Sequence, residues 1–189
     1  VGETLSTDPA ISADGATLVF SSDRNSGNLD IYAQSIADGS VRRITSDAAD
    51  DREPAISPDG HTVAWRSDRF AGGIYVGATD GGSAPRWIAN QGRRPRFSPD
   101  GSSIAFWAKA LQADDVGAIY VVPASGGAPR RLAADFYSAL DPVWSPDGRY
   151  LLFLGTRTKG AQPEFWVVPA NDGPVENVEA YRIVRRWFL

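Results

Sequence analysis

Cysteine is absent from this 189-residue chain, and histidine occurs once, as His61. The lack of cysteine excludes disulfide bonds, thiolate metal sites and a cysteine nucleophile. A serine nucleophile would need a histidine base and an orienting carboxylate, and no Gly-x-Ser-x-Gly elbow is present in the sequence. We therefore expect a chain that is not itself an enzyme and that has no metal site and no cofactor.

Long apolar runs are also missing, since no stretch approaches the roughly 18 residues of a membrane-spanning helix. The sequence accordingly predicts no membrane insertion. The net charge of −4 is unfavourable for nucleic acid, which selects a basic face. The chain starts at Val1 without an initiator methionine, so we expect it to be a piece of a longer protein.

The chain contains one short sequence motif that is repeated four times. The copies are Pro9–Gly15, Pro54–Gly60, Pro95–Gly101 and Pro142–Gly148, and three of the four end in Ser-Pro-Asp-Gly. Their Asp-Gly pairs lie 45, 41 and 47 residues apart. A period in this range is typical of a repeat architecture, in which each unit is one supersecondary element that cannot bury its own faces alone.

Each repeat reads as four short strands joined by tight turns, and no segment shows a sustained helical period. The second and third strands are apolar on both faces, as expected for a sheet that lies between two neighbouring sheets. We therefore predict an all-β fold: a β-propeller built of four-stranded antiparallel blades, with four repeats present, as part of a larger propeller. The predicted blades cover about 8–45, 53–89, 94–133 and 141–178, and 179–189 is a tail or the start of the next blade.

Four features together resemble a known family. They are the Pro-x-x-Ser-Pro-Asp-Gly turn, the Ser-Asp-Arg triplets at 22–24 and 67–69, the Ile-Tyr third strands, and the Gly-Gly-x-x-Arg-Arg lead at 126–131. This pattern resembles the TolB-like, WD-repeat-like bacterial propeller repeat over essentially the whole chain. The resemblance implies a periplasmic or otherwise extracytoplasmic location. It does not imply a single activity, because one fold carries many functions.

Four charged residues stand immediately before the prolines of the first strands: Asp8, Glu53, Arg94 and Asp141. First strands line the central channel of a propeller, so these side chains should gather near one mouth of it. Three acids and one arginine, helped by Arg93, predict an ion-paired ring. A purely structural network and a mouth that binds a ligand are both open at this point, while Arg94 disfavours a divalent metal there.

The connections after the second and fourth strands vary in length, whereas those after the first and third strands are short and uniform. In an antiparallel blade the two variable sets emerge on the same side, which favours that face for recognition. Its exposed aromatic candidates are Phe70, Phe136 and Tyr137. The variable connections are 23–29, 69–73, 109–117 and 157–163, together with 47–52, 90–93 and 134–140.

The function predicted from these features is a non-catalytic binding or scaffold module that recognises a protein, a peptide or a small polar ligand. Other blades, or another chain, would complete the ring. Two alternatives follow from the resemblance: the substrate-gating propeller of a prolyl-oligopeptidase-type serine peptidase, and the extracytoplasmic sensor domain of a bacterial kinase or transcription regulator.

Overall fold

The repeated Asp-Gly motif forms the same turn in every blade of the computed structural model, which describes residues 4–25, 27–70, 72–109 and 116–178. In the second blade the Ser57 hydroxyl donates to Asp59 Oδ1 (2.5 Å) and accepts the Thr62 N–H (2.9 Å). The Gly60 N–H donates to the Ser57 carbonyl at 2.9 Å, with Gly60 at φ 75°. Because glycine adopts this left-handed backbone without a Cβ clash, the turn reverses the chain into the next strand.

Strands flank each of these turns. The first strands, which precede the turn, are β1 (Ser6–Ile11), β5 (Asp51–Ile56), β9 (Gly92–Phe97) and β13 (Ser138–Trp144). The second strands are β2 (Thr17–Ser22), β6 (Thr62–Ser67), β10 (Ser103–Ala108) and β14 (Tyr150–Thr156).

The remaining strands complete four sheets. The third strands are β3 (Asp30–Ser35), β7 (Gly73–Ala78), β11 (Ala118–Pro123) and β15 (Glu164–Pro169). The fourth strands are β4 (Val41–Arg43), β8 (Arg86–Asn90), β12 (Arg130–Leu132) and β16 (Glu176–Asn177). Each sheet is an antiparallel meander in chain order, β1 to β4, β5 to β8, β9 to β12 and β13 to β16, which we call blades 1 to 4. The predicted all-β propeller architecture is confirmed.

The core consists of the layers between neighbouring blades. In blade 2, Val63 and Trp65 pack against blade 1, while Ala64 and Val76 on the other face pack against Ile104 of blade 3. All five of these side chains are buried. Burial on both faces explains why the central strands of a blade carry apolar residues on both faces instead of alternating.

Arginines on the fourth strands join each blade to the next one. Arg42 donates to the Asp80 carbonyl at 2.6 Å, and Arg86 donates to the Ser125 and Ala124 carbonyls at 2.8 and 2.9 Å. Arg130 makes the equivalent hydrogen bond to the Ala170 carbonyl. These guanidinium groups use their several donors as structural links between blades.

The blades form an open arc. Strands of blade 1 pack on blade 2, blade 2 on blade 3 and blade 3 on blade 4, and no comparable packing joins blades 1 and 4 within the described ranges. On the face of blade 4 that points away from blade 3, Val143 and Phe165 are exposed. Part of the fold's apolar surface thus remains at the end of the arc, as expected for part of a larger propeller. The segment 179–189, predicted to be a tail or a further strand, lies outside the described residues.

Within those same described residues, the protein has no helix long and apolar enough to cross a membrane.

Candidate functional site

The two edges of the arc differ in how regular they are. The connections between first and second strands span 12–16, 57–61, 98–102 and 145–149, and all have the same length. The connections on the opposite edge run from one residue, Gln91, up to the nine residues 109–117. We call the two edges the turn face and the loop face. Each first strand begins at the loop face, so its early residues lie near that mouth of the channel.

A β-bulge interrupts every first strand at the residue before its proline. Pairing with the second strand shifts register between Thr7 and Ala10 in blade 1, and at the corresponding place in the other three blades. The bulged residues are all non-glycine and all have left-handed backbones: Asp8 (φ 54°), Glu53 (φ 55°), Arg94 (φ 48°) and Asp141 (φ 52°). Such conformations are disfavoured for these residue types, and a bulge re-aims the side chain that it carries.

Three of the bulged residues are linked around the channel. The Arg94 N–H donates to Glu53 Oε2 at 2.6 Å, and Arg94 Nη1 pairs with Asp141 Oδ2 at 3.0 Å. Arg93 Nε lies 4.0 Å from Glu53 Oε1. Asp8 lines the same channel cavity of about 460 Å³ as Glu53 and Arg94. The structure thus places Arg93, Arg94, Glu53 and Asp141 in one network, while binding at this mouth stays a prediction.

A second recurring arrangement, an arginine nine residues after the turn glycine, stands at the loop face of blades 1, 2 and 4. Arg69 lies over the Tyr75 ring, 4.8 Å from its centroid, and pairs with Asp47 at 2.7 Å and with the fully buried Asp51 at 3.0 Å. Burial raises the pKa of Asp51, and the Arg69 charge opposes that rise. The guanidinium therefore balances a carboxylate that would be costly to bury alone.

Blades 1 and 4 repeat the stacking within their own sheets. Arg24 lies over Phe20 and Tyr32 at 4.8 and 5.0 Å, and its Nε donates to the Ser22 hydroxyl at 3.3 Å. Arg157 of blade 4 lies 5.0 Å from the centroid of the Trp166 ring. Each of these arginines covers aromatic rings of its own blade at the loop face.

Phe136 does not lie on the exposed surface where the sequence placed it. Only 2% of the residue is exposed, and its ring packs edge-on against Phe153 (5.1 Å) and Trp166 (5.0 Å). The connection that carries Phe136 folds back over blade 4, because an aromatic ring gains more from this packing than from solvent. Tyr137 is half-buried, and its carbonyl accepts the Val116 N–H at 3.2 Å. Phe136 is thus a core residue.

Phe70 is fully exposed, with a left-handed backbone at φ 55°. It lines a cavity of about 360 Å³ at the loop face together with Arg69, Tyr75, Trp87 and Asn90. Trp87, which the sequence reasoning did not select, is 55% exposed. A comparison of the repeats could have identified Trp87, because it stands opposite Tyr75 at a position where blades 1 and 3 have arginines, Arg43 and Arg131.

The turn face carries acidic residues whose role is local. Asp14, Asp59, Asp100 and Asp147 each accept a serine hydroxyl two residues earlier, and this hydrogen bond lowers the pKa of each carboxyl. His61 follows the second of these turns, and its N–H donates to Asp59 Oδ1 at 3.0 Å. In the described part of the chain, no group of three or more histidine, aspartate and glutamate residues has metal-binding geometry.

Comparison with known proteins gives a family match for the first two repeats and a fold match for all four. Residues 2–94, which contain the first two repeats, match the sequence family described as the TolB beta propeller domain. The first two repeats are TolB-like, and the whole chain has the β-propeller fold. The same fold extends over all four blades, since solved propellers align with about nine-tenths of the chain.

Three solved structures illustrate the likeness. TolB from Acinetobacter baumannii has a TM-score of 0.74 and 20% identity over 92% of this chain. The putative TolB from Agrobacterium tumefaciens has a TM-score of 0.74 and 23% identity over 90%. The β-propeller domain of the Trilobed protease from Pyrococcus furiosus, described as having an open velcro topology, has a TM-score of 0.67 and 13% identity over 94%.

The chain spans 43%, 63% and 58% of the lengths of these three proteins, respectively. The chain therefore corresponds to only part of each matched protein, which fits its interpretation as part of a larger propeller. At these identities the likeness shows the fold alone.

Proposed function

We propose that this TolB-like propeller is a binding module that recognises a protein or peptide through its loop face, at a cavity on blade 2. The observation that carries the proposal is the pair Phe70 and Trp87, two exposed aromatic side chains that line one cavity. Exposed aromatic surface around a concavity is typical of interaction sites. Such side chains also supply much of the binding energy in protein interfaces.

The scaffold supports this assignment. The loop-face cavity stands on β7 and β8, whose pairing and packing hold Tyr75 and Trp87 in place. Phe70 reaches the cavity from the connection between β6 and β7, and its left-handed backbone is a local cost that nothing in its own packing explains. Recognition residues on connections between rigid strands are the usual arrangement for a binding scaffold.

The test uses two variants of matched chemistry. Phe70→Ala/Trp87→Ala removes both exposed rings, and Tyr150→Ala removes a 40%-exposed ring from the turn face. Crosslinking in extracts of the source cells, with mass spectrometry, should give a partner that the wild type and the Tyr150 variant retain. The double variant should lose it, with at least a tenfold drop in affinity for the purified partner, equivalent to about 1.4 kcal/mol.

If both variants retain the partner equally, the partner does not bind at this cavity. An Arg94→Glu variant then tests whether the partner binds at the channel mouth, because this substitution reverses the charge that lies between Glu53 and Asp141. The gating and sensor alternatives stay hypotheses, since they concern domains beyond the described blades.

A further inference from the structure

Each of the first three blades has a row of four side chains on the face that is turned toward the next blade. Every strand contributes one residue, and the antiparallel register sets the four side by side. The row ends in an arginine of the fourth strand, which donates a hydrogen bond to a carbonyl of the next blade. The rows are Ala10, Val19, Ala33 and Arg42 in blade 1, Ala55, Ala64, Val76 and Arg86 in blade 2, and Arg96, Ala105, Val121 and Arg130 in blade 3.

The corresponding row of blade 4 ends in a glutamate. Its members are Val143, Leu152, Val167 and Glu176, and they lie on the face of blade 4 that points away from blade 3, which we call the far face. A carboxylate has no hydrogen to donate, so Glu176 cannot make the hydrogen bond to a carbonyl that the three arginines make. The Glu176 side chain is exposed and has no ion pair with the described residues. The far face therefore offers an acceptor where the other three blades offer a donor.

The middle of the row differs as well. In blades 1 to 3 one of the two central side chains is an alanine, and the core layer that buries it also contains a large aromatic residue from the second strand of the next blade. These pairs are Ala33 with Trp65, Ala64 with Phe106, and Ala105 with Phe153. In blade 4 both central residues are larger, because they are Leu152 and Val167. Their side chains fill the space that an alanine leaves open, so a large aromatic ring at the same place would overpack the layer.

Blade 1 is consequently a poor neighbour for the far face. Its second strand has Phe20 at the position that Trp65 occupies in blade 2, five residues after the turn glycine. Its turn after the third strand, the turn that receives the linking arginine in blade 2, contains Asp38. Leu152 would therefore meet an aromatic ring, and Glu176 would meet an acidic turn. Closure of the four blades into a ring and head-to-tail stacking of two copies are both disfavoured.

The far face nevertheless has the apolar character of a buried layer. Val143, Phe165 and Val178 are exposed by 52%, 39% and 40%. The isoleucines that correspond to Phe165 in the other three blades are fully buried, and they are Ile31, Ile74 and Ile119. Each earlier member of this series of layers is covered by a sheet, so continuity with those interfaces indicates a sheet here too.

We propose that the far face of blade 4 receives a fifth sheet of the same propeller, with small side chains against Leu152 and Val167 and an arginine or lysine paired with Glu176. Such a cation gives the carboxylate a charge-assisted hydrogen bond and reverses the polarity of the link found between blades 1 to 4. Small side chains opposite Leu152 keep the layer at its usual packing density. Glu176 thus distinguishes this neighbour from an ordinary blade. The inference concerns a different surface from the loop-face cavity and does not depend on what that cavity binds.

The first test identifies what covers the far face. A photocrosslinking benzoylphenylalanine replaces Phe165 in the complete protein, because it keeps an aromatic ring at this partly exposed position. The same residue in place of Tyr150, at the turn face, is the matched control. Mass spectrometry after illumination should find the position 165 probe joined to a segment of the same polypeptide outside the four blades, close to an arginine or lysine. The control probe should not react with that segment.

The second test reverses the charge, and the sign of its result is decisive. Glu176→Arg in the complete protein should lower the equilibrium constant for folding roughly two- to tenfold, measured by urea denaturation, because two cations then face each other. Glu176→Gln should lose less. An ordinary blade would give the opposite result, since Glu176→Arg would restore the link to a carbonyl. Changing the opposing cation, once the crosslink has located it, to glutamate should restore stability to the Glu176→Arg protein.

Two kinds of result would overturn the inference. Crosslinks from position 165 to blade 1, to a second copy or to another protein, or no crosslink at all, would show that no fifth sheet covers this face. A Glu176→Arg protein as stable as the wild type, or more stable, would show that the neighbour carries no cation. Neither result bears on the partner-capture test of Phe70 and Trp87, so the two proposals fail separately.

Discussion

The turn face and the loop face are built by the same four repeats, yet they behave as two different surfaces. At the turn face, the hydroxyl of Ser12, Ser57, Ser98 or Ser145 accepts a backbone N–H at 2.9–3.0 Å in every blade. At the loop face, each blade uses different residues around its aromatic pair. The comparison shows that the serine and aspartate that build the turn are the same in all four blades, while the residues of the opposite edge differ from blade to blade.

The largest effect is expected where the loop face contains a buried charge. Arg69→Ala should lower the free energy of unfolding by about 3–5 kcal/mol, because Asp51 is left buried without its cation. Urea denaturation measures the loss. The deficit should shrink as the pH falls through the raised folded-state pKa of Asp51, since protonation removes the uncompensated charge.

A double variant provides the control for that result. Arg69→Ala/Asp51→Asn removes the charge together with its partner and should recover much of the lost stability at neutral pH. A pH-independent deficit in the single variant would indicate that Arg69 acts mainly by packing on Tyr75.

An intermediate and uniform effect is expected at the turn face. Ser57→Ala removes a hydroxyl that both donates to Asp59 and accepts the Thr62 N–H, so it should cost about 1–2 kcal/mol. The same substitution at Ser12, Ser98 or Ser145 should cost a similar amount. Chemical denaturation of the four variants side by side measures this, and Ser40→Ala at an exposed turn is the control, expected within about 0.5 kcal/mol of wild type.

Acid should weaken all four turns in the same direction. The pKa of each turn aspartate is lowered by its serine hydrogen bond, so its contribution is present above the unfolded-state pKa. That contribution is lost as the pH falls through the folded-state value. The serine variants should therefore lose less stability on acidification than the wild type does. A spread of several kcal/mol among the four serine variants would contradict the uniformity of this face.

The smallest effects are expected for the two arginines that stack without a fully buried carboxylate. Arg24→Ala and Arg157→Ala should each lower the free energy of unfolding by about 0.5–1 kcal/mol, the range of an exposed cation–π contact. Thermal denaturation compared with Arg69→Ala measures the contrast. Losses as large as that of Arg69→Ala would show that these positions are equivalent after all.

Particular residues show how far the sequence alone can be read. The spacing of the Asp-Gly pairs predicted the four blades, and the strands read at 62–67 and 74–78 predicted sheets covered on both faces. The position of Arg94 between two acids predicted pairing around the channel, and the structure pairs it with Asp141. Phe136 was misplaced because a loop aromatic has no periodicity from which burial could be read, and only packing against Phe153 and Trp166 decides it.

Sequence by itself determined the fold of this protein. The turn needs serine, aspartate and glycine at fixed spacing, and every repeat contains all three residues at that spacing. Tertiary structure alone decided which aromatic rings are exposed and which arginines stack on buried rings. Those outcomes depend on contacts between strands and connections far apart in the chain, and no local pattern encodes the distance between such groups.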